Sequence, residues 1–232
     1  MKLIIENLNK SFDTKHVLRN VNATFERGKI YALLGRNGSG KTTFFNCVSQ
    51  EMSSDSGRVY FDETGPVSDQ DFGYVYAMPM LPEFLTGYEF LNFFVDIHKD
   101  KGLDRKDINT YFDQIQFNQE DRYKLIKDYS HGMRNKLQMI CILILKPTVL
   151  FLDEPLTSFD LVASLEMKNL LMDIKNDCIM ILSTHILQIA RDICDEVVVL
   201  QHGEIQALSN ERLHHPDFEA EILEILRDDH EK

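Results

Sequence analysis

Residues 35 to 42 read Gly35-Arg36-Asn37-Gly38-Ser39-Gly40-Lys41-Thr42, a complete G-x-x-x-x-G-K-[ST] string. A loop of this kind needs a strand that delivers it and a helix that carries it away. Its glycines let the backbone fold tightly, so that a row of N–H groups points at a phosphate chain. The helix start adds its partial positive charge. Lys41 is expected to reach the β- and γ-phosphates, and the Thr42 hydroxyl to ligate Mg²⁺. Both flanks agree. Lys29-Ile30-Tyr31-Ala32-Leu33-Leu34 reads as a buried strand, and Thr43-Phe44-Phe45-Asn46-Cys47-Val48 as a helix.

The 232 residues suffice for one substantial core, or one core with a small appended subdomain. A net charge of −12 and the lack of any Lys/Arg run argue against nucleic acid as a partner, since phosphate backbones are held by clustered cations. Cys47, Cys141, Cys178 and Cys194 are widely spaced, which fits neither a zinc site nor a disulfide framework and suits a reducing cytosol. Met1-Lys2-Leu3-Ile4-Ile5-Glu6 breaks into charge too early for a signal peptide. The apolar run from Met139 to Leu145 is too short to span a bilayer. Work at a membrane would need another protein as the anchor.

Along the chain, residues 1 to 30 alternate as short antiparallel strands do. Gly57 to Phe61 and Phe72 to Val75 read as further strands. Thr86-Gly87-Tyr88-Glu89 is a capping box that opens a helix reaching about His98. Phe90 and Phe94 are expected to face inward, and Phe84 and Tyr88 outward. Residues 100 to 128 suggest short helices. Gly132 to Lys146 reads as a helix stopped by Pro147. Three apolar strands follow, Thr148 to Leu152, Cys178 to Leu182 and Glu196 to Leu200, separated by helices at Asp160 to Lys175 and Ile186 to Ile193. That alternation predicts a parallel sheet covered on both faces. A mostly helical stretch, about 77 to 146, interrupts it as an inserted subdomain. Phe218, Ile222, Leu223, Ile225 and Leu226 recur at helical spacing in the acidic C-terminal stretch, about 210 to 232, and could pack on their own domain or on a partner.

Val149-Leu150-Phe151-Leu152-Asp153-Glu154-Pro155 runs four apolar residues into two carboxylates. Ligand chemistry gathers at the carboxyl ends of buried parallel strands. Asp153 is assigned to Mg²⁺, and Glu154 to orienting and activating the attacking water. Leu182-Ser183-Thr184-His185 ends the next strand and places His185 to touch a γ-phosphate.

The order of these motifs resembles the ATP-binding subunit of an ABC transporter over essentially the whole length. The family signature is matched by Tyr129-Ser130-His131-Gly132-Met133; Ser130 stands 89 residues after Lys41 and 23 before Asp153. Leu156-Thr157-Ser158-Phe159-Asp160 looks like the D-loop, with Ser158 and Asp160 as its polar members, and His185 like the switch histidine. Phe12 matches the aromatic that stacks on adenine. The resemblance implies an α/β fold: a P-loop NTPase core, with a mostly parallel sheet, an antiparallel β subdomain and an inserted α-helical subdomain, all within one ATP-binding domain spanning 1–232. It implies ATP and Mg²⁺, with Gly35, Arg36, Asn37, Gly38, Ser39, Gly40, Lys41, Thr42 and Thr43 around the phosphates.

In the family two such subunits bind head to tail, so Ser130, His131, Gly132 and Met133 would meet the partner's ATP. Hydrolysis would drive a separate integral membrane permease from the cytoplasmic face. Two departures stand out. Ala77 occupies the position where the family usually has a Gln that reaches Mg²⁺ and water; a methyl group does neither. His131 and Met133 replace the usual Gly and Gln, and Ser-x-Gly-Met strings look like those of bacterial exporters for drugs, peptides or bacteriocin immunity. The aromatic stretch from Phe84 to Phe94 follows, where the family forms its groove for the permease. Other readings are weaker. A DNA-repair or translation ATPase conflicts with the acidic balance and the single nucleotide domain. A slow regulatory module is favoured only by Ala77, against Glu154 and His185. A small P-loop kinase leaves Tyr129 to Met133 unexplained.

Overall fold

The computed structural model describes residues 1–76, 78–155, 161–208, 210–213 and 215–227. Ala77, Ser158, Asp160 and the last five residues of the acidic stretch lie outside the described residues. The elements run β1 (Lys2–Phe12), β2 (Lys15–Glu26), β3 (Ile30–Leu34), α1 (Lys41–Val48), β4 (Ser56–Phe61), β5 (Gly65–Pro66) and β6 (Phe72–Val75). Helices α2 (Gly87–Ile97), α3 (Ile108–Gln114), α4 (Gln119–Arg122) and α5 (His131–Leu145) follow. Then come β7 (Val149–Asp153), α6 (Leu161–Ile174), β8 (Ile179–Ser183), α7 (Leu187–Ile193), β9 (Glu196–Gln201), β10 (Glu204–Leu208), α8 (Asn210–Leu213) and α9 (Phe218–Arg227).

Two sheets result. One is antiparallel, in the order β2-β1-β4-β5; the other has six strands, in the order β10-β9-β3-β8-β7-β6. In the second, β9, β3, β8, β7 and β6 are parallel and only β10 runs against its neighbour. Alternation within the strands sends side chains to opposite faces. Ala32, Leu34, Leu150, Leu152, Met180 and Leu182 meet Met167 and Leu171 of α6, Ala190 and Ile193 of α7, and Phe218 and Ile222 of α9. Tyr31, Leu33, Val149, Phe151, Ile179 and Ile181 meet α1 and the antiparallel sheet. Phe45 stacks on Phe151 there, with ring centroids 4.4 Å apart. Each buried Leu, Ile, Val, Phe or Met among them contributes roughly 1.5–3 kcal/mol of transfer free energy.

The parallel register aligns the carboxyl ends. Leu33 pairs with Ser183, and Ser183 pairs with Asp153, so β3, β8 and β7 end along one edge of the sheet. Helices α2 to α5 pack around a separate cluster that includes Leu91, Val95, Phe112, Ile126, Leu137 and Ile140. The Thr86 box forms: its hydroxyl accepts from Glu89 N at 3.2 Å, and Thr86 N donates to the Glu89 carboxylate at 2.9 Å. Phe84 is exposed, as expected. Tyr88 instead is half-buried and stacked on Tyr123, while Phe90 and Phe94 only flank the fully buried Leu91 and Val95. Helix α5 ends one residue before its C-cap Lys146, which takes a left-handed φ of 47° ahead of Pro147.

The parallel strands β7 and β8 each begin and end one residue later than the apolar runs suggested, because Asp153 and Ser183 still take part in the ladder. Helix α9 folds back on its own domain, with Phe218 and Ile222 fully buried in the main core.

Candidate nucleotide site

Strand β3 is buried along its length and delivers the chain to Gly35 at the carboxyl edge of the sheet. Gly38 and Gly40 take φ values of 80° and 103°, a region that disfavours side chains. At Gly40 a Cβ would also lie 2.7 Å from Cγ1 of Val17, so strand β2 approaches the loop too closely for any other residue. Helix α1 starts at Lys41 behind Gly40, with no side-chain cap. Its first amides are therefore left to whatever the loop holds. The sequence placed this start two residues later; the last two residues of the string are already helical.

Lys41 is buried, and its ammonium donates to the carbonyls of Gly35 at 2.8 Å and Arg36 at 3.2 Å. Burial lowers its pKa, while the Glu154 and Asp153 carboxylates oppose the shift. Thr42 is exposed and Thr43 half-buried. The Ser39 hydroxyl is buried and, among the described residues, without a hydrogen-bond partner.

The two carboxylates at the end of β7 are held differently. Asp153 accepts a short hydrogen bond from the Ser183 hydroxyl. Glu154 N donates to Ser183 O at 3.1 Å and to its Oγ at 3.3 Å. Glu154 takes φ 49°, which costs a residue with a Cβ about 1 kcal/mol or more and needs such anchoring. Its Oε1 lies 2.7 Å from Nδ1 of His185, which projects from the end of β8. The structure thus brings together the loop, Asp153, Glu154 and His185.

Two clefts flank the loop. One, about 320 Å³, is lined by Lys15, His16 and Arg19 of β2, by Arg36 to Ser39 and by the β9–β10 turn. The other, about 420 Å³, lies between Leu34 to Asn37 on one side and Thr184, His185 and Leu187 on the other. Leu226 of α9 lines both. Phe12 ends β1 beside Lys15, half-exposed, with Nζ of Lys10 at 5.4 Å from its ring. Phe12 lines neither cleft, and neither do Ser130, His131, Gly132 and Met133. Ser130 caps α5 instead, its hydroxyl accepting from Met133 N at 3.2 Å. Ser158 and Asp160 lie outside the described residues.

Sequence reasoning passed over Ser183, although a serine at the end of a wholly apolar strand is itself a signal. It also gave no role to Lys10 or Leu226.

A family model described as ABC transporter matches residues 18–157. An uncharacterised ABC transporter ATP-binding protein, YxlF of Bacillus subtilis strain 168, is 31% identical over 206 residues, covering 88% of this chain and 69% of the relative. A sulfate/thiosulfate import ATP-binding protein, CysA of Neisseria meningitidis serogroup A, is 29% identical over 97% of this chain and 66% of its own length. A lantibiotic transport ATP-binding protein, SrtF of Streptococcus pyogenes, is 28% identical over 88% of both chains. Among solved structures, the ATP-binding subunit of an ABC transporter superposes with TM-score 0.79 at 23% identity, covering 98% of this chain and 95% of that one.

Proposed function

This chain belongs to the ABC transporter family and is an ATPase, and from that premise we propose that it is the motor subunit that dimerises on ATP and drives a separate membrane permease. The juxtaposition of Lys41, Asp153, Glu154 and His185 at one edge of the sheet carries the reading.

Lys41 exchanges the Gly35 and Arg36 carbonyls for the β- and γ-phosphates, an exchange of like for like in hydrogen bonds. The amides of Gly38 to Thr43 line the phosphate chain, and Phe12 stacks on adenine. The Thr42 hydroxyl and the Asp153 carboxylate are hard oxygen donors, the kind that Mg²⁺ takes while filling its remaining positions from water and phosphate. When bound there, the ion neutralises charge on the transferred phosphoryl group. Glu154 orients the attacking water and accepts its proton. His185, hydrogen-bonded to Glu154, contacts the γ-phosphate.

The helical cluster, about residues 77 to 146, acts as the arm that presents Ser130, His131, Gly132 and Met133 to the ATP of a second ATP-binding subunit. Ser158 and Asp160 belong to the same junction. Helix α9 packs on the main core through Phe218 and Ile222. Among the described residues no helix is long and apolar enough to cross a membrane, so the chain would be held at the inner face by its permease. Met78, Met80 and Phe84, each 79% or more exposed, offer that permease an apolar patch. The relatives include an import and a lantibiotic transport protein. The Ser-x-Gly-Met signature favours export.

The test is ATP turnover at rising protein concentration, beside Glu154→Gln on a sizing column with ATP. Turnover per subunit that climbs with concentration, and an ATP-dependent dimer of the variant, are expected. Turnover flat with concentration and a monomeric variant would overturn the dimer.

A further inference from the structure

We propose that Tyr129 is a positioning residue for the signature, its hydroxyl pinning the start of α5 to the start of α2, an inference that rests on the head-to-tail reading above. Ser130 is the N-cap of α5, and its hydroxyl accepts from Met133 N. A cap secures the first turn of a helix, while the residue before it sets the angle at which the chain enters. Here that residue is Tyr129. It is 5% exposed, with its ring centroid 5.5 Å from that of Phe117. Its hydroxyl donates to the carbonyl of Asp121, in α4, at 2.8 Å. Burial pushes the hydroxyl up to about 12, against the opposing Gly87 amide, so it stays a donor at neutral pH. Gly87, the first residue of α2, stands beside the same oxygen. A Cβ at Gly87 would lie 2.2 Å from Oη of Tyr129. The hydroxyl therefore occupies the space that a side chain at 87 would need.

The two stretches that meet at Tyr129 are joined at other points too. Thr86 and Leu125 form an antiparallel bridge. Ile126 N donates to Leu85 O at 2.8 Å, and Lys127 N to Glu83 O at 3.2 Å. Arg134, one turn into α5, donates to the Glu83 carboxylate at 2.9 Å and to Lys127 O at 3.1 Å. These bonds leave a gap at the signature itself. The backbone pairing to 83–85 reaches no further than Lys127, and Tyr129 N only turns back to Ile126 O at 3.1 Å. The Arg134–Glu83 pair is partly exposed, and such pairs hold position weakly. Tyr129 is the buried contact that falls inside the gap, next to Ser130 and before Gly132. Without its hydroxyl the entry into α5 is free to shift, and small shifts of a contacting group are costly. Tyr129 therefore acts on the partner's ATP through Ser130 and Gly132, without touching it.

The experiment places Tyr129→Phe and Ile108→Val separately into the full Glu154→Gln chain. Ile108 is fully buried in the same helical cluster and serves as the control for general loosening. Fluorescently labelled ATP reports nucleotide affinity at low protein concentration. Sedimentation at rising protein concentration, with ATP, gives the dimer dissociation constant. Tyr129→Phe is expected to raise that constant about tenfold, the scale of one hydrogen bond, while nucleotide affinity of the monomer stays within twofold. Ile108→Val should lower the melting temperature and leave both binding constants unchanged. An unaltered dimer constant in Tyr129→Phe would overturn the proposal. So would an equal rise in Ile108→Val, or a loss of monomer affinity in Tyr129→Phe as large as the loss in dimerisation. Glu154→Gln alone separates the two readings. If it stays monomeric with ATP, the head-to-tail reading falls and this inference with it. If it dimerises and Tyr129→Phe dimerises as well as it does, only the role of Tyr129 is refuted.

Discussion

Nδ1 of His185 lies 2.7 Å from Oε1 of Glu154, joining the ends of two neighbouring parallel strands. The bond leaves the Glu154 carboxylate one oxygen committed to the imidazole and fixes where the other points. A proton taken from water by Glu154 is then one hydrogen bond from a second titratable group. Removing either partner should leave the other misdirected. We predict that Glu154→Gln and His185→Ala each lower kcat by about 10²- to 10⁴-fold, with ATP affinity nearly kept. The double variant should be little worse than the poorer single one, because the pair acts as a unit. Steady-state turnover of the three proteins checks this; fully multiplicative losses would show independent roles.

Ser183 ties both acidic residues to the neighbouring strand, donating to the Asp153 carboxylate and accepting from the Glu154 backbone N–H. Ser183→Ala should lower kcat about tenfold with a smaller change in KM, since the loop that grips ATP is untouched and only the orientation of the acids is lost. The cost in stability should be about 1 kcal/mol, the usual net worth of a hydrogen bond. Kinetics and denaturant titration on one preparation test both halves. A rise in KM with kcat unchanged would contradict the assignment.

Burial of the Lys41 ammonium is a cost to the fold. Its folded-state pKa lies below the value of the unfolded chain, chiefly through burial. The unfolded chain therefore holds more protons at this group, and stability from this site rises with pH between the folded-state pKa and about 10.5. Lys41→Met should abolish ATP binding yet raise the nucleotide-free melting temperature at pH 7 by about 2–4 °C, the shift that ~1 kcal/mol gives in a chain of this size. That advantage should shrink toward pH 10. Thermal melts at both pH values decide, and a variant less stable at pH 7 would refute the account.

The resemblance to the family implies that Ala77 occupies the position where a glutamine is usual. Ala77→Gln supplies an amide, a group that can ligate metal and hydrogen-bond water, and turnover is expected to rise about tenfold, within the range of a single polar contact in a transition state. Unchanged turnover would mean that hydrolysis here is wired without that contact.

Much of the sheet was legible because parallel strands buried on both faces read as plain apolar runs, as Val149 to Leu152 and Ile179 to Leu182 do. The string from Gly35 to Thr42 fixed its own flanks. What escaped depends on pairing across long sequence distances. The role of Ser183 exists only through its register with Leu33 and Asp153. The left-handed backbone of Glu154 goes with its bonds to that same serine, which no local propensity reports. Tyr88 was expected outward because its partner Tyr123 lies in a stretch that reads only as charged and periodic. Leu226 had the spacing of a core residue, and spacing cannot tell which surface a helix end will meet.

Strand β3 draws its two sheet neighbours from far downstream, β8 at Ile179–Ser183 and β9 at Glu196–Gln201. During synthesis, which runs at ~5–20 residues per second, the phosphate loop leaves the ribosome long before either strand that will flank it. A nascent or truncated chain lacking those strands displays the motif but has no sheet edge to mount it on. ATP binding should therefore appear in one step, after about residue 201 has emerged. Half-made chains should therefore not capture nucleotide.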